Sequence, residues 1–197
     1  MEILFMRHGK TASNETGRYC GRTDEPLSRE GFAAAYATRL PDLPETVYVS
    51  PMLRAIQTAQ ILFPHAVLVP VKDLREMDFG AFEGRNANEM EQDEAYRLWV
   101  ENDCLTRCPG GENMEEFSAR TCLAFDGLVR QAMQNEQRKL VIVAHGGTIM
   151  SILDRYAYPR RAHYYEWSVR NCCGYRARLR TDQWPDAPRL VNCRPVP

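Results

Sequence analysis

The feature that most constrains the fold is Leu140-Val141-Ile142-Val143, an apolar run with no polar interruption. It is short, and its lack of alternation means that neither face meets water, as in a central strand of a sheet covered by helices on both sides. The chain carries the same pattern near its start, in Ile3-Leu4-Phe5-Met6. Each run releases into a histidine and a glycine, as Arg7-His8-Gly9 and as Ala144-His145-Gly146-Gly147. Open α/β sheets bind ligands at the carboxyl ends of their strands, which is where both histidines fall.

The rest of the chain alternates strand and helix signals. Residues 46–49 read as a strand ending at Ser50-Pro51, and helical spacing over 52–63 places Arg54 in the first turn of a helix directly after it. Ser28 is the expected N-cap of a helix from 29 to about 40, stopped by Pro41 and Pro44. Residues 66–71 suit another strand, followed by an irregular stretch through Glu76, Asp78, Gly80, Glu83 and Gly84. A polar surface helix is expected over 88–101. Asn113 with Glu116 forms a capping-box pattern opening a helix that runs to about Gln134. A helix from 148 to about 156 follows the second histidine, and 167–179 and 189–193 look like closing strands, with Cys172 and Cys173 as small buried side chains. Residues 10–26 form a long loop, a length that usually signals function. The expectation is an α/β chain: one three-layer domain over 1–197, a mostly parallel central sheet with helices on both faces.

Composition removes several classes. The formal net charge of -1 argues against nucleic-acid binding, although the segment from Arg155 onward holds nine Arg and three acids and reads as solvated surface. No basic segment leads into an apolar stretch at the start and no apolar run approaches bilayer length, so neither secretion nor membrane insertion is expected and the address is cytoplasmic. Seven cysteines without a CxxC pair suggest free thiols rather than a disulfide framework or a structural metal. The Met and aromatic content of the last forty residues would suit a homodimer face.

Three strand ends thus deliver Arg7 with His8, Arg54, and His145 to one sheet edge, and Glu76 arrives from an irregular stretch after a strand. Two guanidiniums, two imidazoles and a carboxylate fit the task of binding and moving a phosphoryl group. Arginine offers a planar fork of donors to phosphate oxygens, and a neutral imidazole nitrogen can attack phosphorus. Such transfer depends on positioning and charge stabilisation, so the cluster can work without a metal, and no cofactor is expected. A carboxyl at Glu76 would protonate the leaving oxygen, with Asp78 in reserve. Competing motifs fail: Gly9-Lys10-Thr11 lacks the earlier glycine of a P-loop, since position 4 is Leu4; His145-Gly146-Gly147 has no G-x-S-x-G partner; and G-x-G-x-x-G is absent. Glu83 reads as a loop anchor, Glu112 and Asn113 as the start of a helix, and His65 and His163 as surface residues.

With these residues assembled, the chain resembles the histidine phosphatase family, whose superfamily includes the cofactor-dependent phosphoglycerate mutases. The resemblance runs from Met1 to about Tyr156. It rests on Met6 through Thr11 with Asn14, on Gly21 through Asp24 with Pro26-Leu27-Ser28 and Gly31, on Ser50-Pro51 with Arg54, Thr58 and Ala59, on Leu74-Arg75-Glu76 with Gly80, Glu83 and Gly84, and on Val143 through Gly147. It implies His8 as the nucleophile that forms a phosphohistidine, Glu76 as proton donor, and Arg7, Arg54, His145 and Gly146 around the phosphate. Asn14 and the backbone at Cys20 and Gly21 would add contacts to phosphate or substrate. Lys10 stands where an acidic or amide residue is common, and Cys20 where a polar one is frequent. The interval from Gly84 to Leu140 lacks the insertion rich in Arg, Tyr and Pro that mutases carry, which favours a phosphatase. Gly17 through Asp24 with Pro26-Leu27 looks most like the α-ribazole phosphatases of cobalamin synthesis. The expected substrate is a small phosphorylated metabolite. A phosphoglycerate mutase, a broad-specificity phosphatase, and a non-catalytic phosphate-binding module are the alternatives, the last disfavoured by an intact Glu76.

Overall fold

The computed structural model describes residues 1–41, 43–184 and 186–197. In chain order its elements are β1 (Glu2–Arg7), α1 (Ala12–Glu15), α2 (Arg29–Ala37), β2 (Thr46–Val49), α3 (Leu53–Leu62), β3 (Val67–Pro70), α4 (Glu94–Glu101), α5 (Met114–Gln134), β4 (Lys139–Ala144), α6 (Gly146–Tyr156), β5 (Ala157–Tyr158), β6 (Gly174–Leu179) and β7 (Leu190–Val196), with short 3-10 turns between.

The strands form one seven-stranded sheet in the order β3-β2-β4-β1-β6-β7-β5. Pairing is parallel except where β6 meets β1 and β7, so the sheet is mixed but mostly parallel. The two uninterrupted apolar runs lie side by side at its centre, β1 against β4. Their side chains alternate: Ile3, Phe5, Leu140 and Ile142 pack under α5 and α6 with Phe125, Val129, Ile149 and Ile152. Leu4, Met6, Val141 and Val143 face Ala55 and Ala59 of α3. Both faces are dry, which is why the runs show no polar alternation.

A third cluster, built from Met77, Phe82, Met90, Tyr96, Trp99, Cys108 and Phe117, gathers the irregular stretch, α4 and the start of α5. Here the structure departs from expectation. Residues 88–101 are not one surface helix: a 3-10 turn at Asn88–Met90 precedes α4, whose N-cap is Asp93, and α4 buries Tyr96 and Trp99. The 10–26 loop also contains α1, closed by a reciprocal capping box between Thr11 and Asn14. Of 167–179 only Gly174–Leu179 is strand; Tyr164–Trp167 is a 3-10 turn and Cys172 takes a left-handed φ of 58°. That turn lets the Cys172 N–H reach the carbonyls of Arg7 and His8 at the end of β1. The helix opened by Ser28 stops at Ala37, where the Thr38 hydroxyl donates back to the Ala34 carbonyl. The helix after the second histidine begins at Gly146, earlier than its periodicity suggested, with His145 as N-cap.

Candidate active site

The register of the central pair sets Arg7 beside Ala144, so the next residues, His8 and His145, stand side by side where the strands end. Their ring centroids lie 5.0 Å apart at 64°. The chain leaves β1 toward α3, where Gly9 meets Thr58, and leaves β4 directly into α6, which opens the crevice where such sheets take ligands. The Ser50 N–H bonds the Val143 carbonyl at 3.0 Å, which brings the end of β2, and Arg54 four residues on, to the same edge.

His8 is buried, and its Nδ1 lies 2.6 Å from the Gly9 carbonyl oxygen. A carbonyl only accepts, so Nδ1 carries the proton and Nε2 keeps its lone pair. The Gly9 N–H in turn donates to Thr58 Oγ1 at 2.9 Å. Burial, with the Arg54 and Arg7 charges adding to it, holds His8 well below the usual imidazole range; the Gly9 carbonyl opposes this. His145 is held down in the same way, by burial first and then by Arg54, His8 and Arg7. Its Nε2 is 2.7 Å from Ser50 Oγ. When the Ser50 hydroxyl donates to it, Nδ1 of His145 carries the proton.

Arg54 is wholly buried, and its guanidinium spends Nη1 on the Thr23 carbonyl and Nη2 on those of Gly21 and Cys20. Cys20 and Gly21, expected to meet the ligand through their backbone, turn their carbonyls to Arg54, because a buried guanidinium needs acceptors. The Gly21 N–H is taken by Glu83, whose carboxylate also accepts from the N–H groups of Arg22 and Thr23. Glu83 is therefore the anchor of the loop that holds Arg54. Arg7 donates through Nη1 to the Val169 carbonyl at 2.7 Å. Asn14 Oδ1 accepts from the N–H of Thr11, the N-cap of α1, and from Asn171 Nδ2, which also donates to the His8 carbonyl.

After these bonds are made, Arg7 Nε, Arg54 Nε and His145 Nδ1 remain buried without a partner among the described residues. Orphaned donors of this kind are expensive unless a ligand satisfies them. All three belong to groups that bear on His8: the Arg54 and Arg7 charges depress it, and the His145 ring packs edge-on against it.

Glu76 stands on the other side, beside the first turn of α6. Its Oε2 accepts from the Gly147 N–H at 2.9 Å and its Oε1 from the Met77 N–H. Gly146 lies against the Arg7 guanidinium, where a Cβ would sit 3.4 Å from Cζ. At Gly147 a Cβ would come within 2.4 Å of Glu76 Oε1, so only glycine lets the carboxylate sit there. Asp78 pairs with Arg22 instead, and His65 and His163 are exposed, apart from the cluster.

Next to Arg7 and Glu76 opens a cavity of about 300 Å³, walled by Tyr19, Phe79, Trp99, Phe117, Tyr164 and Tyr165 with three methionines. Among the described residues, Arg7 is the one cation on its lining. Its polar tips are largely spent: Tyr19 and Tyr96 share a hydroxyl contact at 3.0 Å, Trp99 Nε1 donates to the Thr106 carbonyl and Tyr164 to the Gly147 carbonyl. The sequence reading missed this wall, because its aromatics come from scattered segments with no common motif. It also missed Ser50 as the partner of His145 and Arg120 behind Glu76.

Comparisons with known proteins converge on one family. The chain is 31% identical over 163 residues to a metal-independent phosphoserine phosphatase of Arabidopsis thaliana, covering 77% of this chain and 66% of that protein. Its fold matches the crystal structure of the α-ribazole phosphatase from Shigella flexneri with a TM-score of 0.78 at 25% identity over 92% of each chain. It matches a phosphoglycerate mutase from Thermus thermophilus with a TM-score of 0.67 at 28% identity over 98% of each. Residues 3–187 match the profile of the histidine phosphatase superfamily (branch 1), and with that span the chain belongs to this superfamily.

Proposed function

We propose that the chain is a metal-independent phosphomonoesterase that works through a phosphohistidine at His8 and prefers uncharged leaving groups that carry an aromatic ring, α-ribazole 5'-phosphate, an alkyl ester whose ribose bears an aromatic base, being the metabolite that fits this description. The observation that carries the reading is the set of orphaned donors, Arg7 Nε, Arg54 Nε and His145 Nδ1, beside the free lone pair of a neutral His8. Phosphate oxygens satisfy all three. His8 Nε2 attacks phosphorus, the ester P–O bond breaks, and the leaving oxygen takes a proton from the Glu76 carboxyl. Water then attacks the phosphohistidine and gives a proton to Glu76, the N–P bond breaks, and inorganic phosphate leaves. The first turn of α6 adds its positive end to the charge developing on the transferred group.

The cavity supports the choice of leaving group. Phosphoserine and 3-phosphoglycerate carry a carboxylate that wants its own cation, and the cavity offers aromatic faces instead. Because its polar tips are already paired, it discriminates by shape rather than by hydrogen bonds, which also favours tolerance among aromatic esters.

In the decisive experiment, kcat/KM is ranked over α-ribazole 5'-phosphate, aryl phosphates, phosphoserine and 3-phosphoglycerate. The aromatic esters are expected to lead by about tenfold or more, and His8→Ala to lose turnover of all of them. Wild-type activity in His8→Ala removes the nucleophile assignment. Isomerisation of 3-phosphoglycerate that needs a bisphosphorylated primer and outruns hydrolysis removes the phosphatase assignment.

A further inference from the structure

Behind Glu76, on α5, every donor of one arginine is used, three on the loop that carries the carboxylate and two on the carboxylate of Glu112. Arg120 grips Glu112 bidentately, Nε to Oε1 at 2.7 Å and Nη2 to Oε2 at 2.8 Å. Its remaining N–H groups go to three backbone carbonyls: Nη1 to Asp73 and Arg75, each at 3.0 Å, and Nη2 to Glu76 itself at 2.9 Å. Glu112 completes the grip from the other side, since its Oε2 accepts from the Asp78 N–H and its own N–H donates to the Asp78 carbonyl, both at 2.9 Å. The two side chains are only 20% and 15% exposed, and the Arg120 guanidinium lies over the Phe117 ring at 5.0 Å. A planar fork matched to a carboxylate holds one geometry, unlike the point charge of a lysine.

This clamp encloses Glu76 on both sides in a stretch whose only regular pieces are the 3-10 turns at Lys72–Leu74 and Gly80–Phe82. Its position relative to His8 is therefore set from outside, by α5 through this clamp and by the start of α6, where the Gly147 N–H holds the carboxylate and Thr148 Oγ1 lies within reach of the Leu74 and Arg75 carbonyls. We propose that Arg120, aligned by Glu112, is a positioning residue that holds the Glu76 carboxyl at the leaving oxygen. The inference rests on the proposed role of Glu76 as proton donor. A proton donor must sit within hydrogen-bond reach of the departing atom, and a displacement of about 1 Å can cost ~100-fold.

Such a role leaves a signature that a general loss of stability does not. Ester oxygens that depart readily, as in p-nitrophenyl phosphate, need little help from an acid, whereas alkyl oxygens need it. In Arg120→Lys, kcat/KM, which reports formation of the phosphohistidine and not its hydrolysis, is expected to stay within about threefold of wild type on p-nitrophenyl phosphate and to fall about thirtyfold or more on an alkyl phosphate. Glu112→Gln, which leaves the three carbonyl bonds in place and weakens only the clamp, should tilt the series the same way by a smaller factor, and it carries the test if Arg120→Lys does not fold. Equal losses on both esters, or none, overturn the positioning role. Glu76→Gln is measured alongside: a steep tilt there with a flat response in the clamp variants rejects this inference alone, while a flat response in Glu76→Gln rejects the proton-donor role on which it stands.

Discussion

At the scale of single residues, the site depends on two imidazoles kept neutral. His8 and His145 are pushed below their ordinary range by burial first, and by neighbouring guanidiniums second. In the proposed mechanism neutrality leaves His8 Nε2 free to attack, and it also links stability to pH. In the unfolded chain these side chains take up protons near pH ~6.5, whereas in the folded protein they do so only at lower pH. The unfolded state therefore binds more protons below ~6.5, and stability is fully present above that value and lost as pH falls toward the folded values. Each histidine contributes up to about 1.4 kcal/mol per pH unit in that window. Denaturant unfolding between pH 7.5 and 5.5 should show this slope, and His145→Asn should flatten it; an unchanged slope in the variant would show that His145 is not the source. The identity of these residues was legible in the sequence because a histidine followed by glycine after an apolar run is conspicuous. Their tautomers were not, since they depend on the Gly9 carbonyl and on Ser50, 95 positions away from His145.

At the scale of elements, α6 shows how a helix start serves two tasks. It opens on His145 as N-cap without a side-chain capping bond, and its Gly147 N–H is given to Glu76 rather than to a cap. Gly147→Ala therefore separates activity from stability. Alanine is the better helix former by up to about 1 kcal/mol, which offsets part of the cost of displacing Glu76 and crowding Phe117, so the melting temperature should change less than the activity. The new Cβ meets Glu76 Oε1 at 2.4 Å and the Phe117 ring at 3.1 Å, so turnover of alkyl phosphates should fall at least tenfold. Undiminished turnover would mean that Glu76 acts from another position. Helix starts with polar caps were legible: Ser28 and Asn113 cap where the sequence said they would. The start of α6 was not, because its N-cap residue is occupied by chemistry instead. In α4, two buried aromatics, Tyr96 and Trp99, sit among charged neighbours, and only the third cluster explains a helix that its polar composition assigned to the surface.

At the scale of the whole molecule, a mostly parallel sheet carries the proposed phosphate-binding residues at its strand ends, and the irregular segments around it wall the cavity that we propose takes the leaving group. Tyr165 tests that division, because it lines the cavity yet is 54% exposed, so removing it should cost the fold little. An aromatic contact of about 0.5–1.5 kcal/mol predicts that Tyr165→Ala lowers kcat/KM for esters that carry an aromatic ring about two- to tenfold relative to those without one; a parallel change in both classes would remove Tyr165 from substrate selection. No described helix is long and apolar enough to cross a membrane. The convergence of Arg7, His8, Arg54 and His145 on one sheet edge was legible in the sequence alone, because strand ends in a parallel sheet converge wherever they lie in the chain, and each of these residues lies at or just after one. What Cys20 and Gly21 do, what completes the hydrogen bonds of Arg54, and which atoms are left for a ligand were decided only in three dimensions. These are questions of which donor meets which acceptor across tens of residues, and no periodicity records that. The same holds for Arg120 and Glu112, eight residues apart around the start of one helix: Glu112 reads in sequence as the start of that helix and Arg120 carries no motif, until the fold brings the Glu76 loop against both.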